Sequence, residues 1–516
     1  MNLLGDVDPH ELDPDEVERL EHLIDDPLMV NVMSESELRS YGIFSPYQAA
    51  VISDYISRHG PIMSLTELAS LDGFGDVFAD RVAPFISLKP NDSENSGLRH
   101  ELAVKGGLRW QDGYDGNYGV KYRIQVHDRV IGVASVSRSA GTDTWSPSAY
   151  SGSISYKFRR VPIRVVAGDF NARFGQGLVL WNNSFMNTLT TPDTFMKKPT
   201  GITQPWSFTG SAALHGLAAE YNMSRIKISA VASFADHNFI PAVNVSWFGR
   251  YGHTSITSTM TQAGLDAAFC IRGVNLFGEL AFDWNDNLPS ALIGTRFRTG
   301  ENLDMAFQAR AFMKDQYGAA AGCAYSLGQR GQVVLSADTI YYLEPKDDES
   351  DHSVQVKGLL SCELSINSRW KVKFRLSERY RTWGLPHRTD VRTDVVYTSA
   401  PLVLMMRLNV LHCDGTGYLS YVEGGYMIDK LTLYLRQGLF CIDDWDDRIY
   451  VYERDAPGSF TSPAMYGRGV WTALTAATRL TRSIKLYARA SFIGYPFMEK
   501  KKPGKAELKL QLQYRF

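Results

Sequence analysis

The chain has 516 residues with 54 basic and 56 acidic side chains, so it exceeds one ordinary domain and carries almost no net charge. That balance conceals an asymmetry. Residues 1–90 hold 17 Asp and Glu (Asp13, Asp15, Glu16, Glu18 and Glu21 among them) against Arg19, Arg39, Arg58, Arg81 and Lys89, a net charge of −12 that leaves +10 on the remainder. Two units with separate partners are implied. No run approaches the roughly 18 apolar residues of a membrane-spanning helix, and five scattered cysteines (Cys270, Cys323, Cys362, Cys413 and Cys441) form no C-x-x-C pair, which argues against a zinc site or a disulfide framework.

Up to Lys89 the apolar spacing is helical. A first helix is predicted over 16–24, with Val17, Leu20 and Ile24 on one face. Ser34 followed by Glu37 is the pattern of a capping box, and Pro46 suits the first turn of a second helix that turns Ala49, Ile52, Tyr55 and Ile56 inward and ends near Gly60-Pro61. Two shorter helices are predicted over 64–71 and 76–85. The boundaries that follow are an acidic helical segment 1–27, a helical domain 28–89, a polar linker 90–97 and a strand-rich domain 98–516.

From Leu98 the period changes to two. Leu508, Leu510, Leu512, Tyr514 and Phe516 alternate with Glu507, Lys509, Gln511, Gln513 and Arg515. Ile484, Leu486, Ala488, Ala490 and Phe492 alternate with Lys485, Tyr487, Arg489 and Ser491. Trp370, Val372, Phe374 and Leu376 are set against Lys371, Lys373, Arg375 and Ser377, and Tyr122, Ile124 and Val126 against Lys121, Arg123, Gln125 and His127. Runs of about ten residues exceed the usual strand and match a tilted crossing of a bilayer. With aromatic residues near strand ends and an aromatic C-terminus, the pattern predicts an all-β transmembrane barrel of roughly 18–24 antiparallel strands, even in number, facing outer-membrane lipid. Export then requires a signal that the opening Met1-Asn2-Leu3-Leu4-Gly5-Asp6 does not contain, so the signal is expected to lie upstream or to have been removed.

Residues 28–88 resemble a ComEA-type pair of helix-hairpin-helix motifs through Val30-Asn31, Glu37-Leu38, Gly42-Ile43, Pro46, Ala49, Ile52, Gly60-Pro61, Leu65, Glu67-Leu68 and Gly73-Phe74-Gly75. The resemblance implies phosphate contact by backbone N–H groups at the hairpins, which makes Gly42, Ile43, Gly73, Phe74 and Gly75 the candidate residues. In the first hairpin the second glycine is replaced by Phe44, whose ring is expected to narrow the approach to a phosphate. Asp72 and Asp76 flank the second, and five basic residues are too few for nonspecific DNA binding. A periplasmic or envelope protein partner, or a resting place beneath the barrel mouth, is therefore the preferred expectation, with DNA uptake as the alternative. The order of domains resembles a group of Bacteroidota outer-membrane proteins, as do Gly168-Asp169-Phe170, Arg173-Phe174-Gly175-Gln176-Gly177-Leu178, the stretch 447–455 and Pro463-Ala464-Met465-Tyr466-Gly467-Arg468-Gly469. That likeness implies location and architecture without an activity.

Gly175-Gln176-Gly177 lacks the Lys-Ser/Thr of a phosphate loop and is expected to be a turn or bulge. The polar stretch 182–206 is long enough to fold into the lumen as a constriction or to lie outside it. Asp443, Asp444, Asp446 and Asp447 could bind calcium, but an ion-pair network on the lumen side is preferred, built from Asp447, Arg448, Glu453, Arg454, Asp455 and Arg468. Eleven dispersed histidines, with no H-E-x-x-H and no G-x-S-x-G, leave Asp236-His237 and His412-Cys413-Asp414 as the adjacent pairs, both read as strand-end polar residues. No catalytic residue, cofactor, metal or small-molecule substrate is predicted. The expected role is non-enzymatic transport or envelope assembly.

Overall fold

The structure, a computed structural model, describes residues 14–516 apart from 90–96, 112, 128, 143, 183–188, 209–212, 236–237, 301, 348–351 and 499–501. The opening six residues, nearly all of the linker and the pair Asp236-His237 lie outside the described residues. Between Leu98 and Arg515 the chain winds as 24 antiparallel strands closed into one barrel, the upper end of the expected range. Closure joins the first strand, Leu98–Trp110, to the last, Lys505–Arg515, with Val104 opposite Leu512. The fold is that of bacterial outer-membrane barrels. No helix among the described residues is long and apolar enough to cross a membrane.

The alternation in the sequence becomes an inverted burial pattern. Leu508, Leu510 and Leu512 stand exposed on the outer face, while Gln511 and Gln513 at the alternate positions are buried. Phe492, Trp370 and Phe374 likewise face out, and Arg489, Arg375 and Lys121 face in. In water this would waste apolar area; against hydrocarbon it places each side chain in the matching solvent. Exposed aromatics ring both ends, with Trp247, Tyr251, Tyr325 and Trp370 at one and Tyr114, Tyr150, Trp284 and Tyr380 at the other. The first end also holds the barrel's termini and short turns such as 250–251, 272–273 and 429–430. From the second end the described parts of the long segment 174–213, and the segment 443–466 beyond its first residues, fold inward. The five cysteines are free, four of them on strands and Cys413 just beyond Leu402–His412.

The helical domain contains α1 (Pro14–Asp25), α2 (Glu35–Ser40), α3 (Pro46–His59), α4 (Leu65–Ser70) and α5 (Asp76–Val82). Ser34 and Glu37 form the predicted capping box; Ser45 and Gln48 form a second one, with Pro46 in the first turn of α3. Leu28–Met29 pairs with Ile86–Ser87 and ties the ends of the domain together. Leu38, Ile43, Ile52, Leu68, Phe78 and Val82 fill its core. Two expectations are corrected. On α1 it is Leu23 that is buried, while Ile24 is half exposed, because the domain covers the face one residue earlier. Phe44 does not narrow a phosphate cradle: its ring turns into the core, with centroids 6.1 Å from Phe74 and 6.4 Å from Phe78.

The outward face is testable. Leu435, exposed near the middle of the strand Leu431–Ile442, should cost about 2–4 kcal/mol when replaced in Leu435→Arg, read by urea unfolding of vesicle-folded protein. A change near zero would contradict its contact with lipid.

Candidate functional site

The lumen is where the two parts of the chain meet, and the helical domain sits inside it at the short-turn end. Its wall partners are spread around the ring. His22 lies 3.4 Å from Glu101 on Leu98–Trp110. Glu18 pairs with Lys121 on Tyr114–Val126, both nearly fully buried. Glu37 is 3.2 Å from Lys157. The Arg39 guanidinium stacks 3.8 Å from the Phe248 ring centre, and Arg81 reaches Gln332 at 2.9 Å.

The two long segments meet the domain from the opposite side. Arg81 donates to Asp193 at 2.7 Å, and Asp193 is also 2.6 Å from Arg296 of the wall. Burial pushes the Asp193 carboxyl up, but Arg296 and then Arg81 outweigh it and hold the group below its ordinary range. Lys198 donates to the Ile43 carbonyl at 2.7 Å, and the Trp206 ring meets His22 edge-on at 5.4 Å. From 443–466, Gly458 N–H donates to Glu21 at 3.1 Å. The stretch 182–206 is thus inside the barrel wherever it is described, the first of the two expected placements.

Both hairpins are occupied. A Cβ on Gly42, which has φ of +64°, would press on Thr200, and Lys198 holds the neighbouring Ile43 carbonyl. Gly73 accepts from Gln48 through its carbonyl at 2.8 Å; Phe74 is buried in the domain core; Gly75, at the N-terminus of α5, lies against the Arg298 guanidinium of the wall. The cations of the domain are dispersed: Arg39 bonds Glu35, Arg58 bonds Asp54 at 2.8 Å, and Arg81 faces the wall. None gathers at Gly73.

The ion-pair network predicted over 447–468 divides in two. Glu453 pairs with Arg489, Arg454 with Glu423 at 2.9 Å, and Asp455 with Lys509 at 2.7 Å, all inside the lumen. Arg468 pairs instead with Asp443 at 2.6 Å on the exposed rim, and Arg448 stacks on Trp445. Asp447, fully buried, accepts from the Cys413 and Gly415 N–H groups at 2.7 and 2.6 Å, closing a turn. The physical reason is the path of the segment: side chains before Ile449–Tyr450 remain at the mouth, those at 453–455 descend between charged wall strands, and Arg468 is back at the rim at the start of the strand Gly467–Arg479. Sequence reasoning did not find the wall partners Glu423, Arg436, Arg489 and Lys509, of which Arg436 binds Glu423 at 2.5 Å. Their signal was a charge at an inward position of an alternating strand, without any indication of its partner.

Between α1, the segment 443–466 and the wall remains a cavity of about 340 Å³, lined among others by Glu18, Glu21, Lys105, Arg138, Arg489 and Lys509. Among the described residues no group of three His, Cys, Asp or Glu converges as metal ligands would. His412 faces the Gly415 carbonyl, so it serves the same turn as Asp447.

No family model and no curated protein sequence matches the chain. Solved structures with a similar course include the siderophore receptor PirA of Pseudomonas aeruginosa, 8% identical with a TM-score of 0.44 over 84% of this chain and 82% of that one. PirA of Acinetobacter baumannii is 8% identical, with a TM-score of 0.46 over 82% and 81%. OccK3 of Pseudomonas aeruginosa is 10% identical, with a TM-score of 0.34 over 82% and 97%. No residue role or ligand passes from them to this chain.

Two outcomes test the seating. Lys121→Met strands Glu18 without its cation, a loss of about 3–5 kcal/mol in comparable buried pairs; amide exchange in α1 should accelerate strongly, and Glu18→Leu in the same chain should restore most protection. Unchanged exchange in Lys121→Met would contradict the pair. Burial, followed by the repulsion of Glu18 and Asp455, raises Glu21 from 4.5 to about 7 against the lowering effect of Gly458 N–H. The seated state therefore holds the Glu21 proton more tightly, so the Glu21 contribution to seating is fully present below pH 4.5 and is lost as pH rises through about 7. Glu21→Gln should flatten that dependence in pH-stepped exchange of α1, and an unaltered profile would contradict it.

Proposed function

We propose that this protein is a non-enzymatic outer-membrane barrel for transport or envelope assembly, held closed by its own N-terminal domain. The carrying observation is the ring of contacts that binds that domain to the wall and to both inward segments. Loop lengths support the orientation, because outer-membrane barrels keep short turns on the periplasmic side. The helical domain then faces the periplasm.

Opening requires work on the domain from that side. Its exposed residues include Asp54, Asp72, Asp76 and Asp80, while its lumen-facing groups are engaged. A basic periplasmic or envelope protein that grips these aspartates fits the surface, and such contact would be salt-sensitive. The order of helices and the left-handed Gly42, Gly73 and Gly75 support the ComEA-like reading of the domain. DNA uptake is disfavoured, because both hairpins face barrel atoms and the domain's net charge repels phosphate.

Planar-bilayer recording separates an open from a closed lumen. The full chain should show little steady conductance, and a chain without residues 1–97 should conduct continuously. Equal conductance from both would overturn the reading that the helical domain holds the lumen closed.

A further inference from the structure

Among the described residues one part of the wall is incomplete. The strands Ile163–Arg173 and Leu214–Asn222 run side by side, and their register places Gly168 opposite Gly216. Both glycines have positive φ, +95° and +150°. A Cβ on Gly168 would collide with the Gly152 carbonyl, and one on Gly216 with the Ala232 carbonyl. At this glycine pair the two strands leave their neighbours together and turn into the lumen. Beyond it Phe170, Asn171, Ala172 and Arg173 are all buried, so the alternation of faces stops.

The neighbours do not follow. Ala149–Lys157 has its last partner on Ile163–Arg173 at Ser153, and Ala149 to Gly152 pair only with the strand on their other side. Ile226–Ala235 has its last partner on Leu214–Asn222 at Ser233. Side chains cap the first open rung on each edge. Asp169 accepts from Gly152 N–H at 2.7 Å and meets His215 at 2.8 Å, and Ser233 Oγ donates to the His215 carbonyl at 3.1 Å. No described strand fills the wall beyond those caps.

The missing part lies at membrane depth. Tilted near 40° with a rise of ~3.3 Å per residue, residues 163–168 cover roughly 15 Å of an apolar band about 25 Å tall. The notch occupies the remainder, on the long-loop side. Exposed Tyr150 and Phe234 stand at its rim, and exposed Ile154 and Leu217 belong to the lipid-facing surface below it. Directly behind the notch the lumen is apolar: Phe170, Phe174, Leu180, Ile202, Leu214 and Val231 form one buried cluster. The cavity beside α1 is lined with charges instead.

We propose that this notch is a lateral portal between the lumen and the outer leaflet, and that it admits the hydrocarbon tail of a membrane-resident amphiphile. Lipid is the solvent at that depth, and the notch is continuous with the lipid-facing wall. A tail that enters meets an apolar lining, while the Asp169–His215 pair offers polar contacts at the edge. The inward strands lead directly to Asp193, Lys198 and Trp206, which the helical domain holds. Release of that domain would free the segment that lines the portal, a step that rests on the closed-lumen reading above.

The test uses the full chain in phosphatidylcholine vesicles that include a phosphatidylcholine with a diazirine at its acyl terminus. After illumination, adducts are mapped by peptide mass spectrometry. Adducts on Phe170, Leu214 or Val231 should exceed those on the inward-facing Ala306 and Ala320 of the distant wall by about tenfold. Adducts confined to outward residues such as Ile154, Leu217 and Phe234 would overturn the portal. The bilayer recording reads the plug independently. Adducts behind the notch in a chain that deletion of 1–97 does not open would uphold the portal and refute the plug, and the reverse pair of results would do the opposite.

Discussion

Hydrocarbon accepts no unpaired backbone group, and this constraint governs the rest of the molecule. It forces the strands into a closed ring, since an open edge in lipid would strand a row of N–H and C=O groups. With 24 strands the ring is wide; barrels of 16–18 strands already leave an aqueous channel, and 22-stranded ones are plugged. This chain fills its ring with its own residues, the helical domain from one end and two long segments from the other. The glycine pair at 168 and 216 is the one described place where the ring is released early, and side chains cap the first rung of each edge it leaves.

Enclosure then dictates the electrostatics. A charge turned away from lipid enters a narrow space of low effective dielectric, where an unpaired group is costly. Pairs such as Glu453–Arg489, Glu423–Arg436 and Glu18–Lys121 answer that requirement. The same economy joins the two domains, because Glu18, His22, Glu37 and Arg81 find their partners on the wall or on segments attached to it. Glu18 and Glu37 meet Lys121 and Lys157 of the wall, whereas His22 and Arg81 meet the carboxylates of Glu101 and Asp193, so charges of both signs are matched across the boundary. Glu21 departs from the pattern. Among the described residues it meets N–H and O–H donors and no cation, and it is accordingly easy to protonate.

The sequence made the periodic features legible. Strand faces such as 508–516 and the caps at Ser34 and Pro46 rest on neighbouring residues, so they can be read locally. The orientation of Ile24 and of Phe44 depended on what covers each helix, and local spacing does not contain that. Grouping Asp447 with Arg468 by proximity in sequence failed for a similar reason. A turn separates the residues that close the loop from those that descend to Arg489 and Lys509. Gly168-Asp169-Phe170 was singled out as a motif, but its partner Gly216 is far along the chain, and only the register shows that they bend together.

The central claim is that the helical domain occupies the lumen of its own barrel. Cross-linking in the membrane tests it most directly, using Arg81→Cys with Gln332→Cys in a chain whose native cysteines are replaced by serine, and a short bis-maleimide. Their side chains are in hydrogen-bond contact across the domain–wall boundary. Near-complete intramolecular cross-linking is the result the account predicts. Its absence in folded protein, with both cysteines still reactive to a single maleimide, would place the domain outside the barrel and contradict the account.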